Sequence, residues 1–353
     1  MGGCAVQEAP RPPRPATLIA AVFGPVLAPA PPMAAHSRQT TDVAAVVLTV
    51  GEPTTSRALA SLRAQTLPVE EPAIVEGVRP FHRALNAGAA RVGKPFFLQV
   101  DADMVLEPEC AAVLRRAMGP DVGIAVGALR DPLTGKIAGV KMYRRECFRH
   151  LQLRDTLAPE IDFYMGLAER GWRTACVSGG ALGDHRPAYG PEYVFGTFYL
   201  LGARYIHRED MGGLGWRLGR LRRSLHPMAP VARIAIGHGV FAREEHDVAK
   251  PRPSVADSRF LHELAAAPDG EVPPPSIGHL LALEPRPLVD GFSELGATLR
   301  ATSHAGLRGC LRHLADIDHE SSLLAEVALG HGALAATPAP LPDAILTAIP
   351  GLA

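Results

Sequence analysis

Two carboxylates one residue apart stand directly after a short apolar run: Asp101 and Asp103 follow the segment from Phe96 to Val100. Such a run, opened by a proline and too short for a helix, is typical of a buried strand. Ligands of open α/β sheets bind outside the carboxyl ends of the strands, which is where these acids would lie. Hard oxygen ligands suit Mg²⁺ or Mn²⁺, and such a metal usually bridges to substrate phosphates. The pattern therefore predicts a metal site that binds a nucleoside diphosphate.

The elements that would position these acids alternate along the first half of the chain. Apolar runs predict strands at residues 43–50, 73–75, 96–100, 122–126 and 172–178. Helical spacing and stop signals predict helices at residues 56–65, 81–91, 109–118 and 160–170. This alternation predicts a parallel sheet covered by helices on both faces. Residues 190–247 are predicted to be mostly helical, with Pro-rich linkers at 250–255 and 268–277.

Length and composition limit the classes of protein that fit. A chain of 353 residues predicts about two domains. Lys+Arg and Asp+Glu both number 36, so no overall charge attracts the chain to nucleic acid. The five cysteines are scattered and form no C-x-x-C pair, which argues against a zinc module and favours reduced thiols in the cytoplasm.

The N-terminal segment and a basic segment bear on where in the cell the protein is located. Residues 1–40, rich in Pro and Ala, are predicted to be a disordered leader; the alternatives are a start codon assigned too early, with Met33 as the true start, and a signal peptide. No window holds the roughly 20 apolar residues of a membrane span. The segment Arg217–Arg223, after Trp216, predicts either peripheral contact with an anionic membrane at its inner face or a solvated helix face.

Several short segments occur in a characteristic order over residues 43–187. They are Val46-Val47-Leu48-Thr49 with Glu52, then residues 59–66, 83–88 and 97–103, then Glu160-Ile161-Asp162 before Gly171-Trp172-Arg173, and finally Asp184-His185. In this order they resemble family 2 glycosyltransferases of the GT-A fold. The resemblance implies a mostly parallel GT-A type sheet flanked by helices, followed by a largely helical C-terminal region. It divides the chain into a leader (1–40), a nucleotide-sugar-binding catalytic domain (41–190) and a mostly helical region without an assigned role (191–353).

The resemblance also implies an activity. It is the metal-dependent, inverting transfer of a sugar from a nucleoside diphosphate sugar, with UDP sugars favoured, to a saccharide or glycolipid acceptor in polysaccharide biosynthesis. Mn²⁺ or Mg²⁺ would be the cofactor, acting as a Lewis acid on the leaving diphosphate.

Each predicted metal ligand also has a purely structural interpretation. Asp103 is the expected main carboxylate ligand, and the resemblance gives Asp101 a role toward the ribose or the metal. His185 is the expected third ligand. Acids after a strand also form helix N-caps or turns, and a histidine before Arg186-Pro187 can simply be solvated.

The catalytic base and the nucleotide pocket complete the predicted site. Glu160 and Asp162 are the candidates for the base, although acids at a helix start also complement the helix dipole. Residues expected to contact the nucleotide sugar are Thr49, Gly51, Glu52, Glu76, Arg83, Asp101 and Ala102. For Arg83 the alternative is an exposed helical arginine. Glu76 stands where the family usually has Asp-Asp-Gly-Ser.

Two other functions compete with sugar transfer. A sugar nucleotidyltransferase would carry a Gly-rich basic signature near the first strand, which Val50-Gly51-Glu52-Pro53 lacks. A non-catalytic relative that binds sugar nucleotides or scaffolds a biosynthetic complex is compatible with the altered positions Glu76, Glu160 and Gly166.

Overall fold

The computed structural model describes residues 41–208, 210–241, 253–270, 274–317 and 321–335. The predicted leader, residues 1–40, lies outside these ranges, and both predicted linkers are described only in part. The strands are β1 (Val43–Thr49), β2 (Ala73–Glu76), β3 (Phe96–Asp101), β4 (Met104–Leu106), β5 (Val122–Asp131), β6 (Gly135–Arg144), β7 (Arg173–Cys176) and β8 (Gly183–His185).

The helices fall into two groups along the chain. Those between the strands are α1 (Thr55–Arg63), α2 (Phe81–Arg91), α3 (Cys110–Ala117), α4 (Cys147–His150) and α5 (Pro159–Ala168). Those after the last strand are α6 (Pro191–His207), α7 (Met211–Arg222), α8 (Ala229–Val240), α9 (Val255–Ala266), α10 (Pro274–Leu281), α11 (Pro285–Thr302), α12 (His304–Asp316) and α13 (Ser321–Leu334). The predicted α/β fold with a helical C-terminal region is confirmed.

The sheet has the strand order β2-β1-β3-β6-β5-β8-β4, and β7 pairs with β5. Strand β1 is parallel to both β2 and β3, so the carboxyl ends of these three strands meet at one edge. Strand β6 is antiparallel to β3 and β5. The expectation of uninterrupted strand–helix alternation is therefore wrong here, because β5 turns directly into β6 through residues 132–134 without a crossover helix.

Alternate residues of the central strands face different helices. In β1, Val43, Ala45 and Val47 join the core beneath α1 and α3, whereas Ala44 and Val46 join the core beneath α2 and α5. All seven residues of β1 are buried, which explains why this strand is apolar throughout rather than alternating. The two covered faces leave the carboxyl edge of β1 and β3 as the place where polar side chains collect.

The C-terminal helices form a second hydrophobic core. Helices α6 and α8 approach so closely that a Cβ at Gly202 would lie 2.3 Å from the carbonyl oxygen of Ile236, and one at Gly239 would lie 2.0 Å from that of Tyr199. Glycine is thus required where these two backbones meet. Within the ranges that the structure describes, no helix is long and apolar enough to cross a bilayer.

Candidate functional site

A cleft of about 1870 Å³ opens at the carboxyl ends of β1 and β3. Asp101 ends β3, and Asp103 lies in the turn between β3 and β4. Both side chains line the cleft. Asp101 is paired in register with Leu48 of β1, and the Ala102 N–H donates to the Leu48 carbonyl at 2.9 Å. Pairing with β1 therefore fixes the backbone that carries both acids.

Asp101 lies among polar groups on the sheet face that α2 and α5 cover. Gln99 Nε2 donates to Asp101 Oδ1 at 2.6 Å, and Lys141 is opposite Gln99 in β6. Burial raises the pKa of Asp101 to about 6, and the neighbouring carboxylate of Asp103 adds to this, while Lys141 acts in the opposite direction. A nearby positive charge stabilises the ionised form of such a carboxyl group, and the cation of a metal site would do the same.

Asp103 is joined to a buried chain of charged groups through His185. Strand β8 pairs with β4 so that His185 is opposite Met104. His185 Nε2 lies 3.3 Å from Asp103 Oδ2, and His185 Nδ1 lies 2.7 Å from Asp131 Oδ2. The arrangement holds the imidazole by a buried carboxylate on one side and presents its other nitrogen to Asp103, as in carboxylate–histidine–metal triads.

Asp131 ends β5 and is almost inaccessible to solvent. Its Oδ1 accepts hydrogen bonds from the backbone N–H groups of Leu133 and Thr134, at 3.1 and 2.6 Å, and its Oδ2 also accepts from the Tyr189 hydroxyl. Burial alone would raise the pKa of Asp131, but the hydrogen bonds from His185 and its other partners outweigh burial and lower it. Burial by itself would lower the pKa of His185, because it disfavours the charged imidazolium. The carboxylates of Asp103 and Asp131 outweigh burial and raise this pKa to about 9.

The donor set at this point fits a divalent cation that also binds phosphate. Asp103 Oδ1 is buried and has no hydrogen-bond partner among the described residues. In that same part of the chain, no three His, Cys, Asp or Glu side chains already sit together at metal-binding distances. Mg²⁺ and Mn²⁺ are commonly held by one or two carboxylates, with substrate phosphates and water as further ligands. Asp103 and His185, with Asp101 beside them, match that incomplete protein site.

The two candidate bases begin α5, and each has a cationic partner. Glu160 Oε1 lies 2.7 Å from Lys141 Nζ, whose side chain is buried. Asp162 Oδ1 lies 2.6 Å from Arg208 Nη2, and Thr156 donates to its other oxygen. Neither carboxylate lines the cleft directly. Glu160 is nonetheless close enough to Asp101 for its charge to raise the pKa of that residue.

The loop after β1 is tightly organised around Glu52. The Thr49 hydroxyl and the Val50 N–H both donate to Glu52 Oε2 at 2.7 Å. Gly51 has φ +95°, which favours glycine, and its N–H donates to Thr49 Oγ1 at 3.0 Å. Thr49 and Glu52 line the cleft, so this predicted nucleotide loop is preformed on its floor.

The remaining predicted contact residues lie at the margin of the site. Glu76 ends β2 beside Thr49 but is exposed, and Arg83 is exposed on α2; neither lines the cleft. Ala102 is buried and does not line the cleft, and its N–H bonds the Leu48 carbonyl. The wall on the β2–α2 side includes instead Val75, Val78, Arg79, Phe81 and His82.

Several functional candidates were not found from the sequence. Asp131 is the last residue of β5, and a prediction that extended this strand beyond residue 126 would have placed it at the same edge of the sheet as Asp101. Lys141 lies in β6, which was not predicted. Tyr193 and Arg204 lie on α6 in the helical region, and their contribution to the cleft depends on how that helix packs.

The sequence matches no protein-family model and none of the curated proteins. Among solved structures, the chain is similar to a mannosyltransferase from Pyrobaculum calidifontis in complex with GDP-Man and Mn²⁺, at 14% identity and a TM-score of 0.44, over 83% of this chain and 86% of that one. It is similar to glucosyl-3-phosphoglycerate synthase from Mycobacterium tuberculosis in complex with Mn²⁺, UDP and phosphoglyceric acid, at 16% identity and 0.33, over 49% and 84%. It is also similar to residues 1–349 of TarS from S. aureus, at 11% identity and 0.33, over 82% and 90%.

Proposed function

We propose that this protein is a metal-dependent glycosyltransferase that uses a nucleoside diphosphate sugar. The observation that carries the proposal is the chain Asp131–His185–Asp103 beside Asp101 at the carboxyl edge of the parallel strands. Asp101 and Asp103 line a cleft of about 1870 Å³, and His185 lies next to Asp103, with its Nε2 3.3 Å from Asp103 Oδ2. Asp103, His185 and Asp101 would hold Mn²⁺ or Mg²⁺, which when bound stabilises negative charge on a leaving diphosphate.

The chain's own residues would divide the remaining work. Thr49 and Glu52 would bind the nucleoside at the ends of β1 and β2. We assign proton removal from the acceptor hydroxyl to Glu160, because its Oε1 lies 2.7 Å from Nζ of Lys141, which is opposite Gln99 beside Asp101, and Asp162 is the second candidate. A single displacement assisted by one base would invert the anomeric centre, and its transition state would have oxocarbenium character.

The donor and acceptor belong to the proposal as well. A UDP sugar and a saccharide or glycolipid acceptor are the first choices, on the family resemblance of the sequence. GDP sugars enter the same test, because the apolar wall of Leu48, Val75, Val78 and Phe81 accepts either kind of base. The proposed setting is polysaccharide biosynthesis in the cytoplasm.

Contact with a membrane surface is a further part of this proposal. Trp216 is 52% exposed on α7, and the guanidinium groups of Arg217 and Arg220 lie 5.0 and 5.6 Å from its ring centre. Leu225, just beyond the helix, is fully exposed. An aromatic ring among arginines suits the interface of an anionic bilayer. Co-sedimentation with phosphatidylglycerol vesicles, lost in Trp216→Ala and absent with phosphatidylcholine, would test this contact.

The decisive experiment combines binding with turnover. UDP and GDP sugars are screened by thermal shift with and without Mn²⁺, since a ligand of the native state raises Tm. The best donor is then assayed for nucleotide release and sugar transfer. We expect Asp103→Asn to abolish turnover, whereas Asp290→Asn, the same change at an exposed site on α11, should leave it unchanged.

Other outcomes would favour the competing functions. Formation of a nucleotide sugar from a nucleoside triphosphate and a sugar phosphate would identify a nucleotidyltransferase. Binding of nucleotide sugars without turnover of any of them, insensitive to Asp103→Asn, would identify a binding or scaffold protein and would overturn the proposal.

A further inference from the structure

One wall of the cleft comes from α6, a helix of the C-terminal region. Its residues that face the cleft are Glu192, Tyr193, Gly196, Leu200 and Arg204. Their spacing of mostly three to four residues places them along a single face of the helix. The carboxyl ends of β1, β2 and β3 form the opposite part of the lining, where a nucleotide binds in open α/β sheets. The α6 wall is therefore available to the second substrate of the proposed reaction.

Arg204 is the positively charged residue of this wall, and its guanidinium group makes only part of the hydrogen bonds that it could make. Its Nε donates to the Leu157 carbonyl at 2.9 Å, and in the described ranges its other two guanidinium nitrogens make no hydrogen bond and no carboxylate lies within 4.0 Å. Arg208, the residue directly after α6, is by contrast paired with Asp162 at 2.6 Å. Burial lowers the pKa of Arg204, which shows that its charge is partly withdrawn from water. A guanidinium in that position gains from an anion that enters the cleft.

The position of Arg204 relative to the acids argues against the donor diphosphate as that anion. The charges that most affect Arg204 include those of Glu160, Arg208 and Asp162. The charges that most affect Asp101 are those of Asp103, Lys141 and Glu160. Contacts link Glu160 to both groups: its Oε1 lies 2.7 Å from Nζ of Lys141, which is opposite Gln99 beside Asp101, and Leu157, which accepts from Arg204, lies three residues before it. A substrate that lies along the segment at Leu157 would meet Arg204 rather than the metal acids.

The guanidinium is held in place before any ligand binds. Leu157 belongs to the segment between α4 and α5, and Asn86 anchors that segment by bonding both the N–H and the carbonyl of Leu153, at 3.1 and 2.9 Å. With Nε fixed to Leu157, the planar fork keeps one orientation. Such a fork matches the two oxygens of a carboxylate or phosphate.

We propose that Arg204 binds an anionic group, a phosphate or a carboxylate, on the sugar acceptor. The inference rests on the proposed function, because an acceptor exists only if sugar is transferred. It narrows the acceptor class from any saccharide or glycolipid to one with a negative charge near the hydroxyl that is glycosylated. A free phosphorylated or acidic sugar and a phospholipid headgroup share this chemistry.

The test separates donor binding from acceptor binding. The full chain is saturated with the donor nucleotide and Mn²⁺, so that the metal site is filled, and Tm is measured with glycerol, glycerate and glycerol 3-phosphate, and with glucose, glucuronate and glucose 6-phosphate. We expect added stabilisation from the anionic members of each set and none from the neutral ones. Arg204→Gln should lose this added shift, while Arg116→Gln, at an exposed site on α3, should keep it.

Kinetics give the second readout. For the best acceptor, Arg204→Gln should raise KM at least tenfold, Arg116→Gln should leave KM unchanged, and Arg204→Lys should recover part of the loss. Phosphatidylinositol in phosphatidylcholine vesicles, assayed beside the soluble acceptors, distinguishes a lipid from a free source.

Different results would overturn the proposed function and the role of Arg204. No stabilisation by any nucleotide with Mn²⁺ would overturn the proposed function. Normal donor stabilisation and transfer to neutral acceptors, with equal KM in wild type and Arg204→Gln, would overturn the assignment of Arg204 alone. Retained donor stabilisation in Arg204→Gln excludes misfolding as the cause of any acceptor defect.

Discussion

Asp103 and His185 owe their relative position to a residue that does not line the cleft. Asp131 accepts from His185 Nδ1 at 2.7 Å and is itself fixed by the turn at Leu133 and Thr134. The imidazole cannot rotate without breaking this bond inside a nearly dry environment. The orientation of Nε2 toward Asp103 is therefore built into the end of β5.

Asp131→Asn tests this dependence. An amide can still accept a hydrogen bond but loses the charge that stabilises the imidazole, so we expect the Mn²⁺ concentration for half-maximal activity to rise about 10- to 100-fold. The measurement is a metal titration of donor turnover. Asp121→Asn changes an exposed aspartate paired with Arg173 and serves as the control. Equal metal dependence in the two variants would contradict the role given to Asp131.

At the residue scale, the sequence predicted the groups that follow obvious strands and missed those that depend on pairing. Asp101 and Asp103 were identifiable because a proline and an apolar run predict strand β3, and these acids come at its end. Lys141 was not, because a lysine in the middle of a strand suggests a solvated position, whereas here it is buried against Glu160. Only the antiparallel insertion of β6 beside β3 brings it there.

Among the elements, the contact between α6 and α8 depends on the absence of side chains. Gly202 lies against the backbone of Ile236, and Gly239 against that of Tyr199. Neither backbone can move away without separating the two helices, since both are packed in the same buried core.

Gly202→Ala should therefore destabilise the protein even though alanine favours helix. We expect a loss of about 1–3 kcal/mol in the free energy of unfolding, from overpacking. Gly215→Ala on α7 is the matched control, because nothing lies within 4 Å of its added Cβ. It should stabilise by about 0.5–1 kcal/mol. Chemical denaturation measures both, and an equal effect of the two substitutions would refute the close-contact explanation.

Element boundaries followed the local signals closely where those signals were strong. Helix α2 spans Phe81–Arg91 as predicted, because Pro80 precedes it and Gly93 follows. Strand β5 continues to Asp131, beyond the predicted end at residue 126, since Gly127 interrupts the apolar run without ending the strand. Strands β4 and β8 are only three residues long, and such short pairings depend on tertiary contacts rather than on local sequence.

At the scale of the whole molecule, one buried acid joins helices that are distant in sequence. Glu326 of α13 is fully buried and contacts Arg222 of α7 at 2.7 Å and Arg233 of α8 at 2.5 Å. Arg233 also donates to the Leu311 carbonyl of α12 at 2.7 Å. Burial would raise the pKa of Glu326, and the two arginines reverse this and lower it.

Glu326→Gln leaves both arginines without a counter-charge. Because removing one partner of a buried ion pair exposes the cost of desolvating the other, we expect a loss of about 3–5 kcal/mol in unfolding free energy. Glu263→Gln, which breaks the exposed pair with Arg259, should change the stability far less, because water screens that pair. Similar urea midpoints for the two variants would show that the buried cluster does not hold the helices together.

The helical core also contains two stacked histidines that bear on acid stability. The rings of His238 and His331 lie 5.5 Å apart. Burial lowers the pKa of each to about 4; for His238, Asp257 opposes and Arg300 adds to this effect, and for His331 the charge of His238 adds to it. Between pH 6.5 and 4 the unfolded chain binds protons that the folded chain does not, so stability falls as the pH falls through this window.

We expect each histidine to contribute up to about 3 kcal/mol of destabilisation by pH 4. The double variant His238→Phe/His331→Phe should remove most of the loss of Tm between pH 6.5 and 4.5. The contribution of Glu326 is lost only below its ordinary pKa of 4.5, so the two effects separate on the pH axis. A variant with the wild-type pH profile would contradict the assignment to these rings.

The sequence predicted that the second half of the chain is helical but not how its helices assemble. Their apolar residues face one another across a shared core, and small residues set the distances between them. From the sequence alone, a glycine within a helix predicts only a less stable helix. The structure shows that these glycines are the points where two helices touch. For the same reason, the part that α6 plays in the cleft could not be anticipated.

Helix α6 belongs to two structures at once: Tyr193 and Arg204 line the cleft, while Val194, Phe198 and Ile206 are buried in the helical core. A protein shortened at residue 190 would lose α6 together with every other helix of the C-terminal core, and with α6 one side of the cleft. Chimaeras would face the same constraint, because α6 can be exchanged only together with the helices that bury its other face.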